Sequence, residues 1–492
     1  TSIHSLMILH MDMDSLTAKL SQFGQSHLIQ FWDQLTEEQR ALLYKDISNL
    51  DLEELTEIFR EAQADLKSAP TKLDDLMSPI PDHIFGGINR TTPEALQEYL
   101  QRGLNEIRKS RVAVVLLAGG QGTRLGVSYP KGMFDVGLPS HKTLFQIQAE
   151  RMKRLQDTCG EGHISWYIMT SKATSGPTEK FLEENNYFGL DKGHCHMFEQ
   201  EMLPCFSFDG KLILDSAWSL ARAPDGNGSL YKALRKTGML AHMVQNGIQH
   251  VHTYCVDNIL VRVADPVFIG FCMTMGADCG AKVVEKTAPN EAVGVVCEVN
   301  GKYQVVEYSE ITSATAAKTD TNGKLAFRAG NICNHYFTVD FLDKVCNLDN
   351  RSLKYHVAKK KIPFVDSQGV RVKPSTPNGI KFEKFVFDVF SFSKRFAVWE
   401  VLREDEFSPL KNADTDSSDT PTTARNAIYN LHARYVMSAG GRFVHQDGTV
   451  VQLSSVKPDG LVVEVSPLLS YGGENLETRV KGKQLTSPTH LF

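Results

Sequence analysis

The apolar run Val112-Ala113-Val114-Val115-Leu116-Leu117, broken at once by Ala118-Gly119-Gly120-Gln121-Gly122, leaves few folds open to this chain. Six successive residues without a polar alternation read as a strand buried on both faces, the condition of a parallel strand in an α/β sheet. Gly119, Gly120, Gly122 and Gly126 then let the backbone turn sharply and bring N–H groups close to a ligand. Arg124 and Lys131 place two cations beside that turn. A strand that opens into a cationic glycine loop is suited to holding phosphates.

Two common phosphate loops do not fit it. The dinucleotide fingerprint G-x-G-x-x-G, counted from Gly120 and Gly122, needs a third glycine where Leu125 stands. The P-loop ends in Gly-Lys-Ser/Thr, which this loop lacks. The order G-G-x-G-T-R-L, followed by Pro130-Lys131, instead resembles the loop of the sugar nucleotidyltransferases.

The rest of the chain supplies an α/β protein around that loop. Its 492 residues give room for two or three domains, and 42% hydrophobic with 23% charged residues is a globular composition. From about Asp14 to Ala64 the spacing of Leu16, Leu20 and Phe23, and of Leu52, Leu55 and Phe59, predicts helices. Thr36 with Gln39 reads as a capping box, and Asp51 with Glu54 repeats its logic. From about residue 100 strands and helices alternate. A helix is expected from about Thr143, a strand over Ile164–Met169, a hairpin around Asp209-Gly210, a helix near 229–245 and a strand from His250 to Val256. Asn300-Gly301 and Asn322-Gly323 mark two more hairpins. Asn412–Thr423, rich in Asp, Ser and Thr, reads as a mobile loop. The expected division is a helical N-terminal domain (1–100), a catalytic core with a mixed sheet (101–405) and a small β-rich C-terminal domain (406–492). Residues 1–10 read as a leader ahead of a start at Met11 or Met13.

Composition also excludes functions. A net charge of -5 argues against general nucleic-acid binding, so ligand-binding cations must be local. No apolar run approaches the length of a membrane span. Nine scattered cysteines without a C-x-x-C pair suit free thiols in a reducing cytoplasm, where the sequons at Asn89, Asn227 and Asn350 stay unglycosylated.

Taken with the glycine loop, a series of further segments resembles the eukaryotic UDP-N-acetylhexosamine pyrophosphorylases. They are Gln200-x-Met202-Leu203-Pro204, Ala223-Pro224-Asp225-Gly226-Asn227-Gly228, Val256-Asp257-Asn258, Val306-Glu307-Tyr308, Ala329-Gly330-Asn331-Ile332, Asn378-Gly379-Ile380-Lys381 and Ser408-Pro409-Leu410-Lys411-Asn412-Ala413-Asp414. The likeness runs from about residue 20 to about residue 475. Glu201 and Ser229 stand where that family usually has glycine, and the tail ending at Phe492 is shorter than usual. The resemblance implies a Rossmann-like nucleotidyltransferase core flanked by two smaller domains. It implies uridylyl transfer from UTP to N-acetylglucosamine-1-phosphate, with Mg2+ (Mn2+ as the alternative ion), in a cytoplasmic monomer or homodimer that binds neither nucleic acid nor membrane.

That reaction poses an electrostatic problem. Two unit charges about 4 Å apart repel by about 4 kcal/mol at an effective dielectric of 20, and a sugar phosphate meets a triphosphate through several such pairs. Positioning and charge neutralisation should therefore carry catalysis without a protein nucleophile. The resemblance gives Arg124, Lys131 and Lys381 the catalytic phosphate contacts. It gives Leu117, Ala118, Gly119, Gly120, Gln200, Gly226 and Asp257 the UTP contacts, with Asp257 as the metal ligand. It gives Asn227, Glu307, Tyr308, Asn331 and Lys411 to the sugar phosphate. The residue types agree: a guanidinium fork suits phosphate, a glutamine amide suits a uracil edge, and a strand-end carboxylate suits Mg2+. Two other readings stay open: a pyrophosphorylase for glucose-1-phosphate or N-acetylgalactosamine-1-phosphate, and a catalytically silent sugar-nucleotide-binding protein.

Overall fold

The computed structural model describes residues 13–67, 73–349, 352–445, 447–451 and 460–492. The expectations placed on residues 1–10 and on a start at Met11 lie outside them. The chain divides into two compact units. One is drawn from Thr1–Thr71, Glu201–Ser229 and Asn350–Phe385, the other from Lys72–Gln200, Leu230–Asp349 and Val386–Phe492.

The larger unit is built on an 11-stranded mixed sheet. Ten of its strands are β1 (Phe85–Gly87), β2 (Val112–Leu117), β3 (Ser165–Thr170), β4 (Cys195–Glu199), β5 (His250–Cys255), β6 (Cys279–Glu285), β7 (Val295–Val299), β8 (Lys302–Val306), β9 (Ala329–Thr338) and β10 (Phe396–Val401). The main path runs β1-β10-β6-β9-β5-β2-β3-β4. Every residue of β2 and β3 is buried, as befits central strands of a sheet covered on both faces; β2 is apolar throughout, while β3 is apolar between Ser165 and Thr170. β2 runs parallel to both β3 and β5, whereas β9 is antiparallel to β5 and β6. The chain leaves β2 toward β3 on one side, and β5 closes the other. The carboxyl ends of β2 and β5 therefore form a topological switch point, where open α/β sheets collect ligands.

Local chemistry explains the connecting elements. Thr143 caps the helix Leu144–Cys159 by accepting the Gln146 N–H at 3.3 Å. Asn300 and Gly301 take positive φ values of 52° and 70°, the geometry of a two-residue hairpin between β7 and β8. The single helix expected near 229–245 is two, Leu230–Lys236 and Met239–Gln245, because Gly238 adopts a left-handed φ of 77° between them. The loop expected over Asn412–Thr423 is shorter: Thr420 forms a capping box with Thr423, and Pro421 opens the helix Pro421–Ser438. Beyond that helix, Arg442–Phe443 pairs with Gln484–Leu485, and Val463–Val465 with Thr489–Leu491. Among the described residues no helix is long and apolar enough to cross a membrane.

The smaller unit packs the helices Met13–Gln22, Glu37–Ser48 and Leu52–Lys67 around Leu16, Leu20, Leu43, Leu55 and Phe59. The Thr36–Gln39 capping box forms in both directions. Phe206 and Phe382 extend the same core from a small sheet in which Gly379–Glu383 pairs with His356–Lys360 and Phe206–Ser207.

Candidate active site

The glycine loop leaves β2 at the switch point, and its course is fixed by close approach. Ala118 N–H donates to the Met169 carbonyl at 2.8 Å. A Cβ on Gly119 would stand 2.8 Å from Nε2 of Gln200, and one on Gly132 would meet the Phe145 ring at 2.2 Å. A Cβ on Gly120 would meet nothing within 4 Å, so the backbone there borders open space. Ser171 Oγ donates to the Gly119 carbonyl at 2.9 Å, and Thr174 Oγ1 donates to that of Ala118 at 3.4 Å. These two buried hydroxyls steady the loop. Sequence reasoning passed them over, since Ser and Thr after a strand carry no distinctive signal.

Lys131 leaves the loop half-buried, and its Nζ donates to the Leu410 carbonyl at 3.0 Å. Burial holds its ammonium below the ordinary lysine range. The Asp257 carboxylate opposes that shift, while the Arg124 and Lys411 cations reinforce it. One buried ammonium thus feels Asp257, Arg124 and Lys411 together, residues far apart in the chain. Arg124 itself is exposed.

The segment carrying Lys411 is tied down beside Asp257. Leu410 N–H donates to the Asp257 carbonyl at 2.8 Å. The Asn258 amide donates to the Glu406 carbonyl at 2.7 Å and accepts from Ser408 N–H at 3.0 Å. Beneath it Lys282, wholly buried on β6, lies 2.6 Å from Asp265 and 2.5 Å from Glu406. Desolvation alone would discharge this lysine, but the two carboxylates outweigh it and raise its proton affinity. Removing one partner of a buried ion pair costs about 3–5 kcal/mol. Glu406→Ala should therefore lower stability by about 3 kcal/mol in urea unfolding; a change under about 0.5 kcal/mol would show that the pair does not anchor this segment.

Three of the residues that the resemblance assigns to the sugar, Glu307, Tyr308 and Asn331, fall into a second cluster of the same unit. Asn331 N–H donates to the Gly294 carbonyl at 2.8 Å, and a Cβ on Gly294 would lie 3.0 Å from Oε1 of Glu307. Glu307 and Asn331 thus meet across one glycine. Glu307 also forms a capping box with Glu310, and Tyr308 is half exposed. Cys333, two residues past Asn331, shares a thiol hydrogen bond with Cys255, which the field of Asp257 reaches.

Gly226, Asn227 and Lys381 lie in the smaller unit. Gly226, at φ 83°, leaves only 2.3 Å between a Cβ and the Lys384 carbonyl, and Gly228 N–H donates to that carbonyl at 2.8 Å. Ser229 is accommodated there: its hydroxyl turns back to donate to the Gly226 carbonyl at 2.8 Å. Lys381 sits half-buried in the centre of the small sheet, opposite Ala358.

A family model described as UTP–glucose-1-phosphate uridylyltransferase matches residues 62–458. The UDP-N-acetylhexosamine pyrophosphorylase-like protein 1 of Xenopus tropicalis is 53% identical over 486 residues, 96% of this chain and 95% of that protein. Its Homo sapiens counterpart is 51% identical over the same length, covering 96% of each. The crystal structure of the uridine diphosphate N-acetylglucosamine pyrophosphorylase from Trypanosoma brucei superposes with a TM-score of 0.80 at 31% identity, over 95% of this chain and 94% of that one. The nucleotidyltransferase architecture expected from the glycine loop is therefore present, and the chain belongs to the UTP–glucose-1-phosphate uridylyltransferase family, among its UDP-N-acetylhexosamine pyrophosphorylases.

Proposed function

We propose that this protein joins UTP to N-acetylglucosamine-1-phosphate, releasing pyrophosphate and forming UDP-N-acetylglucosamine. A phosphate oxygen of the sugar phosphate attacks the α-phosphorus of UTP. The bond from that phosphorus to the α,β-bridging oxygen breaks in line, and its electrons leave with pyrophosphate. The convergence of Arg124, Lys131, Lys411 and Asp257 on the carboxyl ends of β2 and β5 carries this reading.

In it, Arg124 grips the outer phosphates with its fork of donors, and Lys131 neutralises the α-phosphate. Lys411 meets the incoming sugar phosphate. Gln200 and the backbone from Leu117 to Gly120 take the uridine, and Glu307, Tyr308 and Asn331 take the sugar. The parts given to Gly226 and Asn227 (nucleotide and sugar) and to Lys381 (phosphates) rest on the family resemblance alone. Asp257 offers a half-buried carboxylate at a strand end, and among the described residues no three acidic, histidine or cysteine side chains gather into a metal cage. A single carboxylate fits Mg2+, which keeps several waters and completes its shell with substrate phosphates. Bound there, the ion would neutralise charge on the phosphates during transfer. A cytoplasmic setting belongs to the same reading and is supported by nine free cysteines.

The test is pyrophosphate release from UTP and Mg2+ with a panel of N-acetylglucosamine-, N-acetylgalactosamine- and glucose-1-phosphate. The highest kcat/KM is expected with N-acetylglucosamine-1-phosphate. Preference for another sugar would move the substrate assignment, and nucleotide binding without release from any of them would overturn the enzymatic one.

A further inference from the structure

Asn331 stands on β9 just before an irregularity. Between the pairs Ala281–His335 and Val283–Asn331, β9 carries three residues against Lys282 alone. Cys333, in that bulge, takes a left-handed φ of 51°, which a non-glycine residue adopts only where its surroundings impose it. The bend turns Cys333 N–H back onto Oδ1 of Asn331 at 3.2 Å. Nε2 of His335 reaches the same oxygen at 3.1 Å.

A chain of donors follows from the one group whose proton is not in question. A backbone N–H only donates, so the Asn331 atom it meets is the carbonyl oxygen. An imidazole nitrogen 3.1 Å from that oxygen must then bring a proton. His335 is wholly buried, with its Nδ1 unpartnered among the described residues and its ring edge-on to Phe390 at 4.9 Å. Burial keeps it neutral, with its proton affinity pushed down to about 3. A neutral ring has one N–H, and it sits on Nε2. With two donors on Oδ1, Asn331 cannot rotate its amide without setting N–H against N–H. Its NH2, which has no hydrogen bond within the described residues, remains as the group to offer a ligand.

We infer that His335 is a positioning residue for sugar recognition: as its Nε2–H tautomer, together with the Cys333 N–H, it locks Asn331 as a donor that reads an acceptor oxygen of the sugar phosphate. This rests on the substrate reading above. Nothing in composition or spacing marks His335, which in sequence is one more buried residue of a long strand.

The test uses three variants of the full chain, each with separate KM values for UTP and N-acetylglucosamine-1-phosphate. His335→Leu keeps the volume and removes the donor. It should raise the sugar-phosphate KM about tenfold, the loss of one hydrogen bond to a now mobile amide, while moving the UTP KM less than twofold. His335→Gln restores an N–H near the Nε2 position and should return the sugar-phosphate KM to within about threefold of wild type. Asn331→Asp keeps an acceptor for both donors but loses its own N–H, and should be impaired at least as much as His335→Leu. Both KM values rising together, or His335→Gln behaving as badly as His335→Leu, would overturn the inference. The tautomer is read independently by 15N NMR of the imidazole, without turnover. A proton on Nδ1 sinks the proposal even if His335→Leu fails to fold. Wild-type inactivity with every sugar phosphate would count against the substrate reading instead, leaving the NMR result to decide the donor chain.

Discussion

Asp257→Asn is expected to lower kcat by about a thousandfold, the upper range for losing one preorganised electrostatic contact at a transferring group, and to leave the thermal midpoint within about 2 °C. Asparagine preserves the shape. What it removes is the negative charge where β5 ends, and with it the group that the proposed mechanism uses to hold a divalent ion against two polyanions. The fold does not depend on that charge, because the neighbouring segment is tied to the Asp257 carbonyl through Leu410 N–H and not to the carboxylate. Asn258→Ala makes the contrast. It deletes a buried amide that holds Glu406 and Ser408 and should lower the midpoint visibly. A simple turn aspartate would give the reverse pattern for Asp257, with near-normal kcat and lost stability. Steady-state turnover over a Mg2+ titration, alongside thermal melts, separates the two. Partial recovery of the variant at high Mg2+ is expected, since asparagine still offers one neutral oxygen.

Such a test could be drafted from sequence, because the switch-point half of the site was written locally. A six-residue apolar strand, four glycines and two cations lie within one stretch, and β2 and its loop sit where that pattern puts them. The hairpin at Asn300-Gly301, the capping box at Thr36 and the helix beginning near Thr143 were legible for the same reason: each needs only its own few residues. What escaped depends on the return of the chain from far away. Lys411 reads as a surface lysine until Leu410 is seen hydrogen-bonded to both Asp257 and Lys131, the second 279 residues distant. The buried Lys282 looks like any strand lysine until Asp265 and Glu406 surround it. The smaller unit interleaves three separate stretches of chain, a connectivity that no local pattern of residues carries. Short-range errors have short-range causes, as where Gly238 breaks one amphipathic pattern into two helices or Pro421 starts a helix inside a polar stretch.

Lys131 is where these two kinds of information meet, and it should show the second large effect. Lys131→Ala is expected to reduce kcat by about 100- to 1000-fold, the cost of removing one preplaced cation from a developing phosphate charge. UTP affinity should fall less, because Arg124 stays exposed to take the outer phosphates. The alkaline side of the pH profile is more telling. Burial lowers the proton affinity of this ammonium from the ordinary lysine range, and the pull of Asp257 is offset by Arg124 and Lys411. The protonated form is the useful one. Its population falls as pH rises through the folded-state value, so activity should decline at a lower pH than an exposed lysine would allow. Lys131→Arg keeps a charge that does not titrate below about pH 12. That variant should turn over more slowly, because the guanidinium does not reproduce the ammonium's bond to the Leu410 carbonyl, yet its alkaline limb should move upward. The profile is measured as kcat against pH for wild type and Lys131→Arg at saturating substrates. Coincident alkaline limbs would remove Lys131 as the titrating cation, and an unaltered kcat in Lys131→Ala would remove it from catalysis.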